Sequence, residues 1–162
     1  MLYAGLMVDR DGTPWVVEFN CRLGDPETQV VLPLVDGGLT DAFWKVAHGE
    51  GVAPIARRSG QASVTTVLAS RGYPDRPQQG AAIRIPQELP AGVTVFHAGT
   101  ARGPDGVLRV NGGRVLNVTA VAASFPEAQR LSRDAAEAIE FEGKVFRRDI
   151  GWREAARAGV TV

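Results

Sequence analysis

Sulfur and unbalanced charge are what this sequence has least of. Its single cysteine, Cys21, has no internal partner, so a disulfide framework is excluded and a reducing, cytoplasmic setting is expected. The 18 basic side chains balance 18 acidic ones. A neutral chain gives no electrostatic case for nucleic acid or for an anionic membrane surface. No apolar run approaches the roughly 20 residues needed to span a bilayer. The segment Met1-Leu2-Tyr3-Ala4-Gly5 lacks a basic stretch followed by a long apolar one, so no signal peptide is expected. Internal repeats and low-complexity tracts are missing too, as are glycine-rich phosphate loops of the GxGxxG or GxxxxGK type.

What remains is an ordinary globular composition, 44% hydrophobic and 22% charged over 162 residues. That length suffices for one domain, or for a domain with a fragment of another. Leu2 to Val8 and Trp15 to Phe19 are β-prone runs joined by Asp11-Gly12, which predicts a hairpin. Asn20 to Glu27 is polar and reads as a loop. Val30, Val31, Leu34 and Val35 suit a short helix stopped by Gly37-Gly38. Leu39 to His48 predicts another, with Thr40 or Asp41 as N-cap and Gly49 as stop. After a connector at Val52 to Ser59, short β-prone runs follow at Ala62 to Ala69, Ala82 to Ile85, Val93 to His97, Val107 to Val110 and Arg114 to Ala122. Asn111-Gly112-Gly113 reads as a hairpin turn between the last two. Pro126 to Ile139 is the clearest helix. The fold class is therefore α+β: an α/β remnant, then a unit with an antiparallel sheet.

The first hairpin is unusual. Leu2, Ala4, Leu6 and Val8 fall on one face, Tyr3 and Met7 on the other. An isolated two-stranded ribbon apolar on both sides is not stable alone. Cover is expected from residues before Met1 or from a partner chain.

Chemistry concentrates in Val16-Val17-Glu18-Phe19-Asn20-Cys21-Arg22-Leu23-Gly24-Asp25-Pro26-Glu27. Residues two apart on a strand share a face, so Glu18 and Asn20 point together. A carboxylate beside an amide oxygen offers hard donors of the kind Mg²⁺ takes, with water and substrate phosphates completing its octahedron. Arg22, if the strand direction persists, would face a transferring phosphoryl group. A solvated strand end, with Arg22 paired to Asp25, explains the same spacing.

The stretch Glu18 to Gln29 resembles the signature of the glycinamide ribonucleotide synthetase family (phosphoribosylamine–glycine ligases), within the ATP-grasp superfamily. Its Glu-x-Asn-x-Arg core is common to many ATP-grasp enzymes; Gly24-Asp25-Pro26-Glu27-Thr28-Gln29 points to this family in particular. Further matches follow in family order: Tyr3-Ala4-Gly5-Leu6-Met7, Phe96-His97-Ala98-Gly99-Thr100, Asn111-Gly112-Gly113-Arg114-Val115-Leu116 and Arg148-Asp149-Ile150-Gly151-Trp152-Arg153.

The resemblance implies a carboxy-terminal edge of an ATP-grasp domain (1–51), then the family's carboxy-terminal domain (52–162). It implies a ligase that joins glycine to 5-phosphoribosylamine with ATP, through glycyl phosphate, in purine biosynthesis. Glu18 and Asn20 would hold Mg²⁺ or Mn²⁺, and Arg22 would stabilise the moving phosphoryl group. Asp25 and Glu27 would lie beside the substrates. His97 is either a substrate neighbour or a satisfied strand end, and Arg114 either a phosphate ligand or a solvated strand residue. The family's amino-terminal part, with the rest of the ATP site, has no counterpart here, so the isolated chain is expected not to turn over. The preceding strand also lacks the acidic metal ligand that ATP-grasp sites often place there. Two alternatives stay open: a different ATP-grasp carboxylate–amine ligase, and a non-catalytic binding module or half of a split enzyme.

Outside that constellation, His48 reads as a cation at a helix C-terminus and Cys21 as space-filling. Trp15, Trp44 and Trp152 read as core or interface anchors. Arg147, Arg148, Arg153 and Arg157 form a basic tail diluted by acids.

Overall fold

The computed structural model describes residues 2–157. The hairpin is present as β1 (Tyr3–Val8) and β2 (Pro14–Asn20), paired antiparallel. At its tip the Asp9 carboxylate accepts from the amides of Asp11 and Thr13 and, at 3.0 Å, from the Trp15 indole. A register shift between Gly5 and Leu6 interrupts the strict alternation expected along β1. Both faces are open: Leu6, Met7, Val8, Trp15, Val16, Val17 and Phe19 are each more than half exposed.

Two helices follow. α1 (Glu27–Val31) starts earlier than the apolar pattern suggested and passes into a 3₁₀ turn at Leu32–Leu34, where Pro33 has no N–H to continue an α-helix. α2 (Leu39–Ala47) begins after Gly38, whose φ of +75° needs glycine. Thr40 and Asp41 are therefore inside the first turn rather than capping it. Asp41 pairs instead with Lys45 one turn on, at 2.9 Å.

The buried part of the molecule is a four-stranded antiparallel sheet. It is built from β3 (Ala62–Ser70), β4 (Val93–His97), β7 (Arg114–Ala122) and β8 (Lys144–Val145), in the order β4-β7-β3-β8. A separate two-stranded ribbon pairs β5 (Thr100–Arg102) with β6 (Leu108–Val110). Two sequence expectations fail here. Ala82 to Ile85 forms only isolated bridges, from Ala82 to Arg109 and Arg84 to Glu140, and Pro86 cannot extend a ladder. Asn111-Gly112-Gly113 is not a hairpin turn, because β6 pairs with β5 and not with β7. Neither glycine has positive φ. Gly112 serves close backbone approach, since a Cβ on Gly99 would lie 2.7 Å from Gly112 Cα, and Gly113 leaves room for the Tyr73 ring.

One sheet face is covered by α3 (Phe125–Ala138). Ser124 caps α3 by accepting from the Glu127 amide at 3.4 Å, and Glu127 supplies the first-turn acid. Leu68, Leu116, Val118 and Ala136 pack with Ile139 into the core, all fully buried. Near 25 cal/mol per Å² of apolar surface, this layer dominates stability. Lys144 reaches back to the C-terminus of α3, donating to the carbonyls of Ala136, Glu137 and Ile139. The chain closes with α4 (Trp152–Arg157). None of the three tryptophans is a core residue; each is at least 48% exposed. Among the described residues no helix is long and apolar enough to cross a membrane.

Candidate active site

β2 delivers Glu18 and Asn20 to one face, as its two-residue period requires. The Asn20 amide donates to Glu18 Oε1 at 3.0 Å, which leaves Asn20 Oδ1 and Glu18 Oε2 as outward oxygen donors. Opposite them in register stand Tyr3 and Gly5. A Cβ on Gly5 would sit 3.2 Å from Glu18 Cγ, so glycine gives the carboxylate room. These donors suit Mg²⁺, which takes one or two protein oxygens. No group of three or more acidic, histidine or cysteine side chains that could hold a metal occurs among the described residues.

Beyond Asn20 the chain leaves the strand. Arg22 turns its guanidinium onto the Leu23 carbonyl at 2.9 Å and does not pair with Asp25. Gly24 is buried, and a Cβ there would collide with the Glu27 carboxylate. Gly24 O accepts from the Thr28 amide at 3.0 Å and also from the Thr28 hydroxyl, closing the first turn of α1. Glu27 is held from the other side by the Tyr3 hydroxyl, which donates to Oε1 at 3.1 Å. That bond to a carboxylate raises the Tyr3 phenol pKa, with partial desolvation and the negative charges of Glu27 and Glu18 adding to the rise.

Asp25 meets Arg114, at the start of β7, in an ion pair of 3.0 Å. Gln29 donates to the other carboxylate oxygen at 3.1 Å. His97 ends β4, exposed, with Nδ1 3.0 Å from the Thr100 hydroxyl. No hydrogen bond links it to the Glu18–Glu27 stretch among the described residues. The structure thus gathers Glu18, Asn20 and Glu27 around Tyr3, and Asp25 with Arg114. Arg22 stands apart, turned to its own backbone. Tyr3 and Gln29 were not singled out from sequence as site residues. Gln29, in α1, stands four residues after Asp25, just before the helix, a spacing that could have found it. Between α1 and the sheet, Glu27, Ser63, Phe125 and Gly151 line a cleft of about 300 Å³.

Comparison with known proteins matches two separate segments of the chain to one family. The model of the phosphoribosylglycinamide synthetase C domain matches residues 63–153, and that of the family's ATP-grasp (A) domain matches residues 1–28. A phosphoribosylamine–glycine ligase of Chlorobaculum tepidum is 51% identical over 153 residues, 93% of this chain and 35% of that protein. The crystal structure of phosphoribosylamine–glycine ligase from Thermotoga maritima superposes with a TM-score of 0.80 at 43% identity, over 93% of this chain and 36% of that one. The biotin carboxylase domain of Hydrogenobacter thermophilus 2-oxoglutarate carboxylase, solved with MgADP and bicarbonate, has a TM-score of 0.62. It is 17% identical over 88% of this chain and 32% of that one, a likeness of fold alone. The chain spans little more than a third of the length of these ligases.

Proposed function

The chain belongs to the phosphoribosylglycinamide synthetase family, and from that premise we propose that it is the carboxy-terminal part of a phosphoribosylamine–glycine ligase. The observation that carries this reading is the Glu18–Asn20 pair, fixed on one strand face by a 3.0 Å hydrogen bond. In the reaction, the γ-phosphoryl group of ATP passes to the glycine carboxylate, giving glycyl phosphate and ADP. The amine of 5-phosphoribosylamine then attacks the acyl carbon and expels phosphate, leaving glycinamide ribonucleotide.

Glu18 and Asn20 hold Mg²⁺ or Mn²⁺ in this reading. When bound, the ion supplies positive charge to the nucleotide phosphates. Arg22 releases the Leu23 carbonyl and stabilises charge on the transferring phosphoryl group. Glu27 and His97 serve the substrates; Asp25 and Arg114 stand on the same substrate side. Residues 1–51 are the edge of the ATP-grasp domain and 52–162 the carboxy-terminal domain. Two observations support that division: the hairpin shares no strand pairing with the four-stranded sheet, and the two family models match separate segments. The open apolar faces of the hairpin are covered by the remainder of an ATP-grasp domain. A cytoplasmic location is in keeping with the exposed, unpaired Cys21.

The test is a synthetase assay on the purified chain, alone and mixed with an amino-terminal half from a related ligase. It follows ADP release dependent on glycine and phosphoribosylamine. Activity in the mixture, abolished by Glu18→Ala, is the expected result. Bicarbonate replacing glycine as the acid substrate would sink the reading in favour of another ATP-grasp ligase.

A further inference from the structure

We propose that Arg114 is a positioning residue: by clamping Asp25 it fixes the Gly24–Gln29 segment, and with it the Glu27 carboxylate, to the central strand of the sheet. The significance for substrate binding rests on the reading of Glu27 above; the clamp itself does not.

The geometry is specific. Arg114 Nη1 donates to the Asp25 main-chain carbonyl at 2.9 Å, and Nη2 to Asp25 Oδ2 at 3.0 Å. One planar guanidinium thus holds both the backbone and the side chain of a single residue, which a lysine point charge cannot reproduce. Gln29 takes the remaining oxygen, Oδ1. Both oxygens of the Asp25 carboxylate are therefore engaged within the protein, and that carboxylate serves the fold of the loop. The clamp has a rigid base. β7 runs between β3 and β4, and Arg114 O accepts from the Gly99 amide at 2.8 Å. Gly113, just before it, lies against the Tyr73 ring, where a Cβ would collide. The contact joins residues 89 apart in sequence. It also links the two segments matched by the separate family models.

Glu27 depends on this clamp through the backbone. It stands two residues from Asp25, its carboxylate fills the space left by Gly24, and its Oε1 receives Tyr3. Tyr3 is therefore a built-in reporter of where Glu27 sits. The sign of its response separates two explanations. Removing the Arg114 cation through charge alone would disfavour the phenolate and push the Tyr3 pKa further up. Losing the position of Glu27 would let it fall.

The experiment is an ultraviolet titration of Tyr3 in the full chain carrying Tyr73→Phe, compared with Arg114→Met and Arg114→Lys in the same background. Amide exchange at Thr28 and Gln29 is followed in parallel, with the amides of β3 and β7 as the control for global unfolding. The expected result for Arg114→Met is a fall of the Tyr3 midpoint toward the ordinary phenol value of about 10. Exchange at Thr28 and Gln29 should rise roughly tenfold or more, with β3 and β7 unchanged. Arg114→Lys should fall between the two. A Tyr3 midpoint that stays or rises in Arg114→Met overturns the proposal, as does unchanged exchange. A protein that gives the fall but stays silent when mixed with the amino-terminal half of its own enzyme keeps the clamp and loses the ligase reading.

Discussion

Ser132 on α3 reaches into the sheet and donates to the carbonyl of Val118 at 2.8 Å while sharing a 2.7 Å hydrogen bond with the Thr66 hydroxyl of β3. One hydroxyl thus ties the helix to both central strands inside the core, where most buried polar groups are hydrogen-bonded. Ser132→Ala should cost about 1–3 kcal/mol, because it strands the Thr66 hydroxyl in the interior. Urea unfolding would measure this, and a loss below a few tenths of a kcal/mol would contradict it.

Gly24 and Glu27 should be coupled sterically. Gly24→Ala places a methyl where the Glu27 carboxylate lies, and so breaks the Tyr3 contact. Glu27→Gln keeps the shape and removes the charge. Both should lower the Tyr3 midpoint, since the carboxylate is what raises it. Titration at alkaline pH reads the shift directly, and an upward movement in either variant would be inconsistent with the geometry.

The hairpin tip should loosen in acid. The indole N–H of Trp15, then the amide of Thr13, holds the Asp9 carboxyl below its ordinary pKa. A carboxylate depressed in the folded state contributes order fully present above its unfolded value of about 3.9, and lost as the pH falls through the lower folded value. The Trp15 indole proton resonance should follow that titration below about pH 4. In Asp9→Asn it should stay flat.

Lys144 should matter more for its ammonium than for its stem. Its Nζ donates to the Ala136 and Glu137 carbonyls at 3.0 and 2.8 Å and also to that of Ile139, at the negative end of the α3 dipole. Lys144→Met, which keeps the apolar chain, should destabilise the protein by about 1–2 kcal/mol. Exchange should quicken first in the last turn of α3. An equal loss across the whole sheet would indicate a packing defect instead.

Much of this fold follows from local pattern. The limits of β7, Arg114 to Ala122, coincide with the β-prone run, and α3 begins one residue before the expected helix because Ser124 and Glu127 form its cap. Period-two alternation also places Glu18 beside Asn20, an arrangement the hydrogen bond between them confirms. Pairing between distant segments was not legible. β6 belongs with β5, and β8 has only two residues, too short to leave a periodic signal. Gly112 looks like a turn residue but serves backbone contact with Gly99. Asp25 and Arg114 meet only because α1 folds back on the sheet, so the sequence local to either shows nothing of the other. The tryptophans mislead for a related reason. Size and hydrophobicity predict burial, yet Trp15 stays 63% exposed and Trp44 65%, the latter with the His48 ring beside it at 4.5 Å.

The open ribbon of β1 and β2 has a thermodynamic consequence. Among the described residues each strand has one ladder edge without a partner strand, a template for any extended chain that reaches it. In the reading proposed above, a cognate ATP-grasp half that covered this ribbon would bind the folded form and not the unfolded one, so mass action would tie docking to melting temperature. Complex formation would then register as a concentration-dependent rise in thermal midpoint, and that rise would come even from a mixture too mismatched to turn over substrate.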